Sequence, residues 1–489
     1  VGLVVSRYLV VTEPVISPRD GRPRRILFAT RSGQVRSIAD GLWESVGRGE
    51  LDALPADIHQ GLTEAGILVD SADDELAAIL AENRAEIDRP VRLTLVVHPT
   101  AACQLACAYC GQRHRSRTLS PPDQESLIQR VESQLSAGAG RYRELEVGWF
   151  GGEPLLGLDV MRALSPKLRA LAGEFGCAYS ADVVTNALLL TPDVAAELAA
   201  VHGVSYAEVT LDGTAEYHDR RRCTRDGSPT FAKIFQNLTA ILAPERPALR
   251  IGIRANVDRE NQPGVVPLLE LLAERQLHAR IDRFYVAPVR AWGEPAAESS
   301  AGAAEFASWE VECFAHMLRL GFQVEMIPSR KRVVCLAVCP GAEVVDAFGS
   351  LFNCTEVSYV PAYEARSTAD DRSVAPGGCQ RAPCNTYAIG SVAGGEDLAR
   401  RACFADLNDR IQRREIPCHA CAMLPVCGGA CPKQWRVGDP LCPPYKLNMP
   451  QRLALGYYMR VLGGRPQRVT TGGLQPEGLT LISPGQRPG

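Results

Sequence analysis

Cys103-Gln-Leu-Ala-Cys107-Ala-Tyr-Cys110 is the stretch on which the reading of this sequence turns. Three cysteines stand x3 and x2 apart, just after a run of apolar and β-branched residues, Arg92–His98, that reads as a strand. Thiolates at such short spacings hold iron–sulfur clusters. Three of them wrap three irons of a [4Fe–4S] cluster and leave the fourth iron open, as a bidentate small-molecule ligand requires. A zinc knuckle or scattered core thiols are the bland alternatives. The surroundings of the motif decide between them.

From about 91 to 325 strand and helix patterns alternate, which makes the fold class α/β. Strands are expected at Arg92–His98, Glu144–Phe150, Ala181–Val184, Tyr206–Leu211, Arg250–Val257 and Arg280–Ala287. Amphipathic helices are expected between them at Gln124–Leu135, Leu158–Leu171, Pro192–Ala200, Phe231–Leu242 and Val265–Glu274, the first with Ser120 as N-cap and Pro121 just inside. Six such units imply a parallel sheet with right-handed crossovers, an open, partial (β/α)6 barrel rather than a closed eight-stranded one. Ligands bind at the strand C-terminal ends in such sheets. There the sequence places the three cysteines, then Trp149-Phe150-Gly151-Gly152-Glu153-Pro154, Val184-Thr185-Asn186, and Thr210-Leu211-Asp212-Gly213 followed by His218-Asp219-x2-Arg222.

Taken together these motifs resemble the radical SAM superfamily, whose signature is CxxxCxxC with an aromatic residue before the last cysteine, here Tyr109. The resemblance implies a cluster on Cys103, Cys107 and Cys110 that binds S-adenosylmethionine (SAM) at its open iron. It implies that backbone groups of the GGEP motif, Gly151, Gly152, Glu153 and Pro154, hold the SAM ammonium, with Glu153 adding charge. Thr185 and Asn186 would approach the ribose, although Ala187 stands where the family's T-N-G has glycine. Arg254 on the fifth strand would take the carboxylate; a surface salt bridge is the alternative. The Asp212-Gly213 and His218-Asp219-x2-Arg222 stretch is similar to the DG…HDxxR of peptide-modifying members. Its other reading is structural, a turn and a helix cap.

A second cysteine field follows. Eleven of the 17 cysteines lie between Cys335 and Cys442, where regular periodicity fades. A segment with little apolar core needs staples or metals. Cys335-x3-Cys339, Gly349-x4-Cys354, Cys418-x2-Cys421-x5-Cys427-x3-Cys431 and Cys442 resemble the SPASM extension, which binds two auxiliary [4Fe–4S] clusters. The resemblance assigns Cys335, Cys339, Cys354 and Cys431 to one and Cys418, Cys421, Cys427 and Cys442 to the other. That makes three [4Fe–4S] clusters in all. Zinc ribbons are the competing reading, because Cys-x2-Cys is also zinc spacing. Cys379-x4-Cys384 sits in an insertion and could touch substrate or extend a cluster site; other cysteines default to small apolar core residues.

Residues 1–90 read as a winged-helix-like α+β domain. Strands are expected at Tyr8–Thr12 and Arg25–Thr30 with an Asp20-Gly21 turn, helices at Val35–Val46 and Ile58–Ala65, a return strand at Gly66–Val69, then an acidic helical connector, Asp73–Ile87. The remaining divisions are 91–325 for the barrel, 326–450 for the SPASM region, and 451–489 for a C-terminal helix and flexible tail. The chain's 53 Lys and Arg nearly balance its 56 Asp and Glu, which argues against a nucleic-acid partner. No apolar run suits a membrane span and no signal peptide is visible, so a cytoplasmic location is expected.

The order of domains resembles ribosomal-peptide maturases with an N-terminal peptide-recognition element. That implies a precursor peptide whose leader adds a strand to the N-terminal domain, and a one-electron donor such as flavodoxin or ferredoxin. The implied reaction is hydrogen abstraction by a 5′-deoxyadenosyl radical, leading to a thioether, C–C or C–O cross-link. Sulfatase-maturase-like side-chain oxidation, epimerisation and backbone excision are the alternatives within the family, and a non-catalytic iron–sulfur scaffold the one outside it.

Overall fold

The computed structural model describes residues 2–138, 140–243, 249–290, 300–364 and 385–462. Cys379, Cys384 and the expected tail beyond 462 lie outside the described residues.

The N-terminal module contains β1 (Leu3–Val5), β2 (Leu9–Val11), β3 (Val15–Ile16), β4 (Pro23–Ala29), β5 (Gln34–Ala39) and β6 (Leu68–Asp70). β4 is its spine: β2 and β3 pair along one edge and β5 along the other, all antiparallel. The helices Asp40–Gly47 and Ala56–Glu64 follow, and β6 returns to pair with β1. The helix expected from Val35 therefore starts only at Asp40. Val35 and Ile38 fit a helical stripe continued by Leu42 and Val46, but pairing of the whole stretch 34–39 with β4 overrides it.

Strand alternation gives β4 two apolar faces. Leu27 and Ala29 join Ile38, Val46, Leu62 and Ile67 in the module's own core. Ile26 and Phe28 point the other way and are buried with Met423, Val426, Tyr445, Met449 and Leu453 of the C-terminal region. The module is thus built into the rest of the protein. The expected connector is also more than a linker. The helix Glu75–Asp88, N-capped by Asp74, buries Ile79 and Leu80 in a cluster with Leu336, Leu407 and Ile411.

The centre is a ten-stranded sheet. β7 (Arg92–Val97), β8 (Glu144–Trp149), β9 (Ala178–Thr185), β10 (Val204–Thr210), β11 (Arg250–Val257) and β12 (Arg283–Pro288) are neighbours in chain order and all parallel. This is the expected sixfold β/α series, and the helices come where the periodicity put them. Ser120 accepts from the Asp123 N–H as N-cap of Pro121–Ala137. Leu93, Leu95, Val97, Leu145, Val147 and Trp149 face the helix layer, so the alternate residues Thr94, Val96, Glu146 and Gly148 face the other side.

The sheet does not stop at β7. β13 (Ala342–Val345) pairs with it in parallel, and β14 (Ser350–Phe352), β15 (Gly390–Ser391) and β16 (Gly395–Glu396) continue antiparallel. The expected division near 326 is therefore no break in the sheet, because the cysteine-rich region covers its β7 edge. The helix Tyr445–Val461 packs on Ala303–Arg319, with Arg452 and Asn448 both bonded to buried Glu310. Among the described residues no helix is long and apolar enough to cross a membrane.

Candidate active site

The loop bearing Cys103, Cys107 and Cys110 leaves the end of β7 and is gripped from three directions. The first is the end of β8. Glu153 donates its N–H to the Ala102 carbonyl at 2.8 Å, and Gly152 donates to Thr100 at 3.4 Å. A Cβ on Gly152 would sit 2.3 Å from the Ala102 oxygen, and Gly151 has φ +114° with His98 Cβ 2.8 Å from where its own Cβ would be. Both glycines are thus required for strand end and cysteine loop to touch. The second grip is the stretch 221–224: Ala106 donates to the Cys223 carbonyl and Ala108 to the Arg221 carbonyl, each at 2.9 Å.

The third grip is Tyr109. Its hydroxyl donates to Asp212 at 2.5 Å and accepts from Arg222 at 2.6 Å and Asn256 at 2.9 Å. The Arg221 guanidinium lies 4.8 Å from its ring centroid and forks onto Asp258 at 2.7 and 2.9 Å. Asp212 also accepts from the Asn256 N–H, and its own N–H donates to His218 Nδ1. His218 is fully buried, and burial holds its pKa down to about 3, so its ring is neutral. Asp219 accepts from Thr230 and Phe231, at the start of helix Phe231–Leu242. Of the two readings of Asp212-Gly213 and His218-Asp219-x2-Arg222, these contacts are the structural one. The stretch is a scaffold that fixes Tyr109 and with it the cysteine loop, and Arg222 alone of these residues also lines the cleft.

That cleft opens at the C-terminal ends of β7–β12, with about 1050 Å³ of open space, mouth included. Cys103, Cys107, Cys110, Tyr109, Gly151, Gly152, Thr185, Asn186 and Arg254 all line it. Glu153 and Pro154 sit behind it. The buried Glu153 carboxylate accepts from Thr185 Oγ1 at 2.7 Å, from the Asn186 N–H at 2.8 Å and from the Leu155 N–H. It ties the end of β9 to that of β8, and its bonds are spent on protein groups. Burial raises its pKa, against the pull of these hydrogen bonds. Asn186 Nδ2 lies 3.9 Å from Cys103 Sγ. Arg254 is 2% exposed, with Glu208 4.0 Å away, so the surface-salt-bridge alternative does not hold. Burial pushes the Cys103 thiol up to about 12 and Cys107 to about 11, the latter opposed by the nearby Arg222. Such thiols ionise when a cation binds them.

Several cleft residues were not singled out from the sequence. His114 Nε2 stands 3.6 Å from Cys110 Sγ, and burial lowers its pKa. Asn256, Arg290 and Val360 line the wall, and so does Glu356, a carboxylate from the cysteine-rich region whose pKa burial raises to about 7. Two residues beyond Arg254 on β11, Asn256 was legible from strand alternation; Glu356 had no local signal.

In the second field, Cys418, Cys421, Cys427 and Cys442 line one narrow cavity with Lys446. Of the other set, Cys354 and Cys431 lie within electrostatic reach of each other. Cys335, Cys339 and Cys354 share one buried cluster, which also takes in Cys418 of the other set, and the β13–β14 register (Val344 opposite Phe352) brings the Cys354 end of one strand to the Cys339 end of the other. Among the described residues no three His, Cys, Asp or Glu side chains are grouped to hold a single metal ion; Cys103, Cys107 and Cys110 line the cleft and Cys418, Cys421, Cys427 and Cys442 the narrow cavity instead. Three thiols on an open cleft fit a cluster with an open iron, and four round the narrow cavity fit one without.

The radical SAM superfamily model matches residues 97–243. The serine-type anaerobic sulfatase-maturating enzyme of Klebsiella aerogenes is 29% identical over 157 residues, 32% of this chain and 38% of that protein. Mycofactocin maturase MftC of Mycobacterium tuberculosis is 34% identical over 160 residues, 32% of this chain and 36% of that protein. The chain thus spans less than two fifths of the length of the curated relatives it matches. The solved structure of native anSMEcpe with bound AdoMet and Cp18Cys peptide aligns with TM-score 0.52 at 17% identity, over 76% of this chain and 98% of that one, a likeness of fold. The cysteine motif, the parallel sheet that presents it and these matches mark residues 97–243 as a radical SAM region, related over about a third of the chain to characterised maturases.

Proposed function

We propose that this protein is a peptide maturase that abstracts hydrogen from a residue of a precursor peptide and forms an intramolecular thioether, C–C or C–O cross-link. The observation that carries this reading is the composition of the cleft. Its floor holds three thiols, and one wall comes from the cysteine-rich region through Glu356 and Val360. Cys103, Cys107 and Cys110 would hold a [4Fe–4S] cluster. When bound, that cluster supplies the electron that splits SAM into methionine and a 5′-deoxyadenosyl radical, the agent of hydrogen abstraction.

The chain's own residues do the positioning. Tyr109, Asp212, Arg222 and Asn256 hold the cysteine loop rigid. Gly151 and Gly152 would present backbone groups to the SAM ammonium, Asn186 would face the ribose, and Arg254 would take the carboxylate as a two-pronged donor. Glu153 serves by locking the ends of β8 and β9 together. The outer thiols, Cys335, Cys339, Cys354 and Cys431 in one set and Cys418, Cys421, Cys427 and Cys442 in the other, would hold two auxiliary clusters with no open position. β5 pairs on one side only among the described residues, so its outer edge is free to receive a leader-peptide strand.

The test is anaerobic incubation of reconstituted protein with reductant, SAM and the precursor encoded nearby. A product lighter by two hydrogens, with the two modified residues held together after proteolysis, supports the reading. An unchanged precursor in the presence of active SAM cleavage rejects it for that partner. Side-chain oxidation is a second reading, favoured by the sulfatase-maturating relatives. It gives the same mass loss on serine, but its aldehyde reacts with a hydrazide probe and a cross-link does not.

A further inference from the structure

The two outer thiol sets sit in different electrostatic surroundings. Lys446 lines the cavity of Cys418, Cys421, Cys427 and Cys442, and its Nζ lies 3.3 Å from Cys442 Sγ. The same ammonium is within electrostatic reach of Cys421 and Cys418. Lys331 also acts on Cys427. Arg290 acts on Cys442, with Asp439 partly offsetting it. Gly428, Gly429 and Ala430 are consecutive left-handed residues, φ +70°, +105° and +63°, and the N–H groups of Gly429 and Ala430 turn onto Cys427. Consecutive N–H groups of this kind form a concavity for negative charge. Among the described residues no carboxylate lines this cavity.

The other set has charges of both signs. Cys354 and Cys431 each face Glu356 and Lys433 together. Cys339 faces Arg401 and Arg141, with Glu86 opposing.

We propose that Lys446 sets the reduction potential of the cluster held by Cys418, Cys421, Cys427 and Cys442, and makes that site the more easily reduced of the two auxiliary sites. The proposal rests on the reading of this site as an iron–sulfur centre. Adding an electron to a cluster ligated by four thiolates increases its negative charge. A fixed cation beside a ligand sulfur stabilises the reduced form more than the oxidised one, as does an N–H donor to sulfur. Lys446 is an exposed positioning residue, so its influence weakens with ionic strength.

The experiment is anaerobic reconstitution of wild type, Lys446→Gln, Lys446→Glu and Lys446→Arg, with iron and sulfide analysis and EPR-monitored potentiometric titration. The expected result is unchanged iron and one midpoint that moves to lower potential in the Gln variant, lower again in Glu, and back in Arg. The shift shrinks at high salt, and the other midpoints stay fixed. Full iron with identical midpoints in all four proteins overturns the role of Lys446. Failure of the underlying reading looks different: Cys421→Ala and Cys442→Ala would leave the iron content of the protein unchanged, or the wild-type site would contain zinc. Either result overturns the proposal before any titration.

Discussion

The loop of Cys103, Cys107 and Cys110 and the loop of Cys418, Cys421 and Cys427 solve opposite problems with the same side chain. The first lies on the floor of a wide cleft, and its rigidity is polar: a tyrosine hydroxyl shared among Asp212, Arg222 and Asn256, and backbone pairing with 221–224. The second closes on a narrow cavity and is packed from behind by apolar side chains, among them Phe28 and Ile26 from the N-terminal module. One loop is held by hydrogen bonds so that it stays open to a ligand. The other is held by burial. The difference also shows where each is vulnerable, the first to loss of a single polar atom or glycine, the second to a cavity made elsewhere in the chain.

The strongest break of this contrast is removal of the open set. A Cys103→Ala/Cys107→Ala/Cys110→Ala variant is expected to lose SAM cleavage altogether while its iron falls by about four and the auxiliary iron stays, as anaerobic iron and sulfide analysis will show. Gly152→Ala comes next. Its Cβ cannot occupy a point 2.3 Å from the Ala102 oxygen, so strand end and cysteine loop must separate. SAM cleavage is expected to fall at least about a hundredfold, since small misplacements of reacting groups cost that much, with auxiliary iron intact.

Phe28→Ala tests the second loop from a distance. Phe28 is fully buried against the outer cysteine region, and a Phe→Ala cavity costs about 3–5 kcal/mol. The expected outcome is lower iron at the Cys418 set and a lower thermal midpoint, with the cysteine loop of the cleft unaffected. The same packing means that deletion of residues 1–90 exposes Met423, Val426 and Tyr445, so the deletion cannot separate leader binding from folding. Proline at Arg36 or Ser37 is the cleaner probe. Adjacent strand N–H groups point opposite ways, so one of the two variants removes an outward N–H of β5 and is expected to weaken leader binding while SAM cleavage without peptide persists.

The smallest effect is in pH. Asp346, just beyond β13, is held up to about 7 by burial. Its folded form keeps a proton that the unfolded chain releases in the ordinary aspartate range. Between that range and pH 7 the folded state binds more protons, so its contribution makes stability fall as pH rises, by at most about 1.4 kcal/mol per pH unit, and the slope vanishes above pH 7. Asp346→Asn is expected to flatten this part of a thermal-midpoint profile.

Local chemistry was legible and long-range pairing was not. The helices Pro192–Ala200, Phe231–Leu242 and Val265–Glu274 and the strand Arg250–Val257 came out at the residues periodicity assigned them, because each is an isolated unit of a regular β/α series. The three cysteines, Asn186 and Arg254 reached the cleft because strand ends are where such sheets collect their sites. Glu153 was read as facing the ligand, but its carboxylate is taken up by Thr185 and the Asn186 N–H, one strand away. Gln34–Ala39 read as helix because its apolar spacing permits both states and only β4 chooses. Glu356 and β13 had no signal, since both depend on contacts between residues far apart in the chain.

The pairing of β13 with β7 has a consequence for how the chain is made. β7 is the first of the parallel strands to be synthesised, and the strand that covers its edge comes far later in the sequence. During vectorial synthesis this strand, next to the cysteine loop, therefore waits with an unpaired edge until the cysteine-rich region has emerged. Such edges attract other chains. A truncation just before β13 would turn the missing cover into an aggregation site.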